Sequence, residues 1–353
     1  MLHHRNLIPA AILIPILLSS HVPGDRIRFA PSEGSTATKT FENKAEFTLQ
    51  SMKILMNGQE PPAKPEMEMT ITSTQKVVVT DDYVANREGA PKKLRRNFEE
   101  LGNTVSMSMK MQMMGNSQNQ DKNTTGESEL QGKKVLFTWD DDKGEYTKAF
   151  EPAAEKENLL KDLEEDMDLR ELLPKEEVKE GAEWEIDVTK FASILAPGGN
   201  LSIVPKDSEE GAADMEMPGM SNVSDWLRGA MEGSATGKFK GLQEVGGAKM
   251  GVIEIVAKIS VSKDMTEMIE AMMKKSKQPV PMEVDHMDVD FKYEAKGELV
   301  WDLAAGRAHS FSLSGPSHVN MDMAMKIEAQ GTNMNIDYGM ELSGNTTLSL
   351  EVK

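Results

Sequence analysis

The stretch SMSMKMQMM (106–114) places Met107, Met109, Met111 and Met113 at every second position. Thioethers can do two kinds of chemistry. Being soft ligands, they hold Cu(I). As unbranched, polarizable side chains, they build apolar surfaces that repack around varied ligands. The same alternation recurs at Met321, Met323 and Met325 and continues to Ile327. A third reading is simple core filling, since a methionine stripe at structural spacing most often serves packing. The chain holds 27 methionines and no cysteine. Disulfides, thiol catalysis and thiolate metal sites are therefore excluded.

Histidine could complete a copper site, but its placement on regular strands argues against this. His318 shares parity with Asn320 and Asp322, opposite Met321 and Met323. His309 shares parity with Phe311 and Leu313, so an inward or rim position is expected. His286 directly precedes Met287, and adjacent strand residues diverge unless a bulge intervenes. Acidic clusters offer little more. DDDKGE (140–145) lacks the ligand spacing of a calcium loop and reads as a hairpin turn. In MEVDHMDVD (282–290), which also holds Asp285, a solvent face shared by Asp288 and Asp290 makes a weak divalent-ion candidate. GSATGKF (233–239) misses a phosphate loop by one residue of spacing and by Phe239 in place of Ser or Thr. HExxH and GxSxG are both missing. No catalytic residue, cofactor or metal ligand is assigned, and a non-enzyme is expected. The sequons at Asn123, Asn200, Asn222 and Asn345 matter only in a eukaryotic secretory route.

The elements that must position the methionines follow from periodicity. A helix would scatter Met107 to Met113 around its circumference; a strand puts all four on one face. Residues 287–352 alternate in the same way, with turns expected at Ala305-Gly306, Gly315-Pro316, Gly331-Thr332 and Gly344-Asn345. Helices are expected at 91–101, where Leu94, Phe98 and Leu101 form a stripe, at 155–173, and at 264–276. The fold class is therefore α+β and mostly antiparallel β: curved meander sheets packed with two or three helices. Strands plus a helix in each half suggest a duplicated unit.

Residues 1–24 read as a secretory signal cleaved near 20–24, because the apolar run LIPAAILIPILLSS is too short to span a bilayer. A mobile lead-in is expected at 25–40, a β-rich half at 41–195, a loop-rich insertion at 196–236 and a β meander at 237–353. The formal charge of −18 disfavours nucleic acid and anionic membrane surfaces as partners. No membrane span is expected once the signal is removed.

PKEEVKEGAEW (174–184), with Pro174, Val178, Gly181 and Trp184, and GELVWDLAAGR (297–307), with Asp302 and Gly306, resemble an uncharacterised family of secreted bacterial β-rich envelope domains. That family is distantly similar to the curved-sheet lipoprotein carriers of the periplasm. The resemblance brings no catalytic residues; the repeated parity of 107–113, 321–327 and 334–342 leads to a secreted or periplasmic, non-catalytic binding protein whose methionine face meets an apolar small molecule, lipid or protein segment. Two alternatives stand beside it: a periplasmic Cu(I)-handling protein, and a structural or assembly subunit with methionine as filler.

Overall fold

The computed structural model describes residues 25–61, 66–113, 116–153, 156–206, 223–267, 269–270, 282–329 and 332–353. It is one antiparallel sheet, built from β1 (Thr36–Met56), β2 (Glu66–Arg87), β3 (Ala90–Met113), β4 (Asn116–Ser128), β5 (Lys134–Asp140), β6 (Glu145–Phe150), β7 (Glu183–Ile186), β8 (Ile203–Pro205), β9 (Met231–Val245), β10 (Ala248–Asp264), β11 (Met282–Asp302), β12 (Arg307–Ala329) and β13 (Thr332–Val352). The strand order is β6-β5-β3-β2-β1-β13-β12-β11-β10-β9-β7, with β4 beside the far half of β3 and β8 beside β4. Short helices α1 (Ala192–Leu195) and α2 (Val223–Ala230) lie between β7 and β9.

The segment from 156 to 206 lies against one face of this sheet as a plug. At that end the inward side chains form continuous rows. Phe41, Leu350, Phe311, Leu299, Ile253 and Phe239 are cross-strand partners from β1 to β9, and every one is buried. Leu159, Leu163, Met167, Leu172, Phe191 and Ile194 of the plug join the same core. Burying each such side chain contributes roughly 1.5–3 kcal/mol. The plug contacts both lateral strands: the turn at Glu157–Leu160 packs on β6, and β7 pairs with β9. A sheet whose two flanks touch one central segment must curl around it, so the plugged face is the concave one.

The α+β expectation is therefore corrected. Residues 91–101 belong to β3. Their helix-like spacing arises because inward positions run Leu94, Arg96, Phe98 and then Leu101, with Glu99 an extra residue at a β-bulge. The bulge converts a period of two into an apparent three, and the buried charge of Arg96 hides the alternation. Residues 155–173 form only short 3-10 turns at Glu157–Leu160 and Arg170–Leu172. Their backbone pairs outward instead: Glu164 N donates to Gly198 O, and Glu164 O and Glu165 O accept from Arg96. At 264–276, Asp264 ends β10 and its carboxylate accepts from Thr266 N, and residues 266–267 and 269–270 are helical. Residues 268 and 271–276 lie outside the described set.

The expected lead-in is also pinned. Asp25 pairs with Val178, Ile27 and Phe29 are in the core, and β1 begins at Thr36. The two expected halves are one sheet joined by β1 against β13. Within 196–236, β8 and α2 are regular elements, and residues 207–222 lie outside the described set, as do 1–24. The turns expected at Gly315-Pro316 and Gly344-Asn345 are interior positions of β12 and β13. A Cβ at Gly344 would come within 1.7 Å of Glu46 O, and one at Gly315 within 2.0 Å of Glu294 O. These glycines let the neighbouring strand's backbone approach more closely than any side chain would permit. Ala305-Gly306 is a turn, with Gly306 N donating to Asp302 O at 2.9 Å.

Candidate ligand-binding face

Directly paired residues of antiparallel strands share a face. On the unplugged half, the register assembles rows of apolar side chains on the same concave side. Met109 faces Met69, while Met107 faces Ile71, which faces Phe47. Met52 faces Met340, which faces Met321, which faces Val289. Ile54, Tyr338, Met323 and Met287 make the next row, and Ile336 pairs with Met325 beyond it. Met69, Met340 and Leu342 are buried, and Phe47, Leu49, Ile71, Met107, Val319, Met321 and Tyr338 pack around them half-buried. This cluster is separate from the plugged core. Between them lies a polar belt in which the Asn43 amide donates to Gln75 Oε1 and to the Ile194 and Leu195 carbonyls, and the Ser317 and Thr346 hydroxyls pair at 2.9 Å.

Six of the seven methionines marked by sequence lie on this face: Met107, Met109 and Met111 on β3, and Met321, Met323 and Met325 on β12. The backbone of Met113 pairs with Asn116, and its side chain falls outside the described residues. The register brings the two groups onto one face through β2, β1 and β13. Met52 and Met56 were missed because a bulge at Gln50 shifts the inward parity of β1 from odd to even. Met67 and Met69 were legible in the alternation MEMTI.

The opposite face is polar. Ser108 donates to Asp121 at 2.7 Å, Lys326 pairs with Asp285 at 2.6 Å, and His318 Nδ1 meets Ser343 Oγ at 2.9 Å. His286 Nε2 lies 2.8 Å from Asp322 Oδ1, and this hydrogen bond raises its pKa. A bulge does occur at Asp285, yet Met287 pairs with Met323 inside while His286 pairs with Ala324 outside. His309 occupies another bulge and is half-buried. No group of three His, Cys, Asp or Glu suited to a metal ion forms among the described residues. The strand edge is also polar: on β4, Asn116, Gln118, Gln120 and Lys122 oppose the methionines of β3, which discourages edge-to-edge pairing. A wall facing lipid carries apolar residues outside and polar ones inside, and this sheet has the reverse. No helix among the described residues is long and apolar enough to cross a membrane.

A buried ionic network ties plug to sheet. Asp81 accepts from Arg96 Nε at 2.7 Å and Nη2 at 2.8 Å, and from Lys39 Nζ at 2.7 Å. Lys39 also binds Asp168, which accepts from Tyr83 at 2.7 Å and from Arg170 at 3.2 Å. Arg170 completes the set with Glu165 at 2.6 Å. Burial alone would raise Asp81, but Arg96 and Lys39 outweigh it and hold the carboxyl at about 2. Burial raises Glu165 despite Arg170. Every charge here has its counterpart, so the network serves as a lock, and no member is left free as an acid, base or nucleophile.

No family model and no curated protein matches the chain. Among solved structures, the outer membrane protein OprG from Pseudomonas aeruginosa aligns at 8% identity over 90% of this chain and 97% of its own, with a TM-score of 0.22. An outer membrane channel from Pseudomonas putida F1 aligns at 8% identity over 92% and 97%, with a TM-score of 0.20. Superpositions this loose assign neither fold nor function.

Proposed function

We propose that the chain is a non-catalytic, exported binding protein of the bacterial envelope that takes up an acyl chain on its methionine-lined concave face. The observation that carries this reading is the contrast between two halves of one face. The plug covers one half, while methionines, leucines and isoleucines line the other with no described element packed across them. The composition of the face selects the occupant. Protein-binding patches draw much of their affinity from Trp, Tyr and Arg anchors, whereas the apolar residues clustered here include no Trp and bring Met69, Met107, Met321 and Met340 together around Phe47 and Tyr338. Unbranched side chains of that kind fit a flexible apolar chain of variable shape. The leader-like residues 1–24 and the resemblance of 174–184 and 297–307 to secreted envelope domains support the location.

Displacement of a fluorescent fatty acid by unlabelled acyl chains tests the reading. Saturable micromolar binding that is lost in Met321→Asp supports it, and no saturable binding refutes it. One observation keeps a second reading in view: Met52, Met340 and Met321 bring three thioethers from adjacent strands to one level. Cu(I) titration against a chelator would reveal a copper site there, one lost when Met340 becomes Leu. A discrete oligomer in light scattering, with the face occluded, would mark an assembly subunit instead.

A further inference from the structure

A second site stands at the far end of the sheet and does not rest on the methionine face. A cleft of about 520 Å³ opens between the first described residues, the β2–β3 turn and the plug, within the size range of small-molecule sites. Along β2, Ile71 and Asn86 are 15 residues apart, on the order of 50 Å of strand, so one acyl chain cannot reach both. In a chain with 58 acids and 40 bases, this cleft has the opposite sign. Arg26, Arg28, Arg87 and Lys175 line it, against Glu88 and Glu171. Glu171 is engaged by Lys190 at 3.2 Å. The Arg87 guanidinium is held 3.8 Å over the Trp139 ring and beside Tyr146, so it adds positive charge at the rim of the cleft. Among the described residues, Arg26, Arg28 and Lys175 have no carboxylate within ion-pair distance.

Asn86 Nδ2 donates to Pro31 O at 2.7 Å, which ties the β2–β3 turn to the opposite wall of the cleft. Guanidinium groups bind phosphate oxygens through paired N–H bonds, and the cleft is several times larger than a bare phosphate, which leaves room for an esterified group. We propose that this cleft binds a small phosphomonoester, with Arg26, Arg28 and Lys175 on the phosphate.

The test is isothermal titration of the full chain with inorganic phosphate, glycerol 3-phosphate and glycerol. The expected order is glycerol 3-phosphate tightest, phosphate at least threefold weaker, and glycerol undetectable. Affinity should fall at least tenfold between 50 and 300 mM salt. The double variant Arg26→Glu/Arg28→Glu should lose binding. It should fold normally, because both side chains are exposed and Trp301 uses only the Arg28 carbonyl; unchanged melting confirms that. Phosphate binding that survives the double variant, or no preference for glycerol 3-phosphate over phosphate, overturns the assignment. So does co-sedimentation with phosphatidic acid vesicles in the absence of soluble binding, since the source would then be a lipid headgroup.

Discussion

Replacing Asp81 with Asn should cost this protein a large part of its stability, and the structure gives the size of the loss. The carboxylate is fully buried and is the shared acceptor of Lys39 and Arg96, which are themselves 2% and 0% exposed. The amide keeps the shape but leaves the cations short of one negative charge in a dry site. Breaking a buried pair from one side costs about 3–5 kcal/mol. Titration gives an independent figure. Holding the carboxyl at about 2 against an ordinary 3.8 corresponds to about 2 kcal/mol. A carboxyl with a depressed folded-state pKa stabilises the fold above its unfolded pKa and loses that contribution as pH falls through the folded value. The gap between wild type and Asp81→Asn should therefore be full at pH 5–7 and close between about pH 4 and 2. Glu165 works in the opposite sense: its raised pKa favours the protonated fold and softens the acid side of the profile. Urea unfolding across pH gives the answer. As a control, Lys76→Met at the exposed Lys76–Glu100 pair should cost less than about 1 kcal/mol. A loss at Asp81 no larger than the control, or a gap independent of pH, would refute the lock between plug and sheet.

Other outcomes follow from the same geometry. Gly344→Val should destabilise by on the order of 3 kcal/mol or prevent folding, because any Cβ there strikes Glu46 O; thermal melting measures it. Met321→Asp should abolish acyl-chain binding at a cost below about 1.5 kcal/mol, since the side chain is only half-buried; probe displacement and urea unfolding separate the two effects. His286 should titrate above its ordinary value in NMR, and Asp322→Asn should bring it back down, because that hydrogen bond is the main cause of the shift.

What the sequence showed and hid has a physical pattern. The methionine faces at 107–113 and 321–325 were legible because a period of two is unambiguous when apolar and polar residues alternate without interruption. The helix expected at 91–101 failed at a single extra residue, Glu99, and at a buried arginine that no apolar pattern could reveal. The stripe at 155–173 looked helical because a plug that buries Leu159, Leu160, Leu163, Leu169 and Leu172 in the core also accumulates leucines. Gly315 and Gly344 look like turns, yet they lie inside long strands where the neighbouring backbone comes too close for a side chain. Pairings such as Phe41 with Leu350, or Lys39 with Asp168, join residues far apart in sequence, and no local signal announces them.

The central claim is that the methionine-lined half of the concave face is open to an apolar chain while the plugged half is filled. Methyl NMR on protein with 13C-labelled methionine methyls, titrated with a fatty acid, tests it residue by residue. Met109, Met321 and Met323 should shift and saturate together, while Met167 and Met231, buried in the plugged core, stay unchanged. Uniform shifts in both groups, or none in the first, would contradict the account.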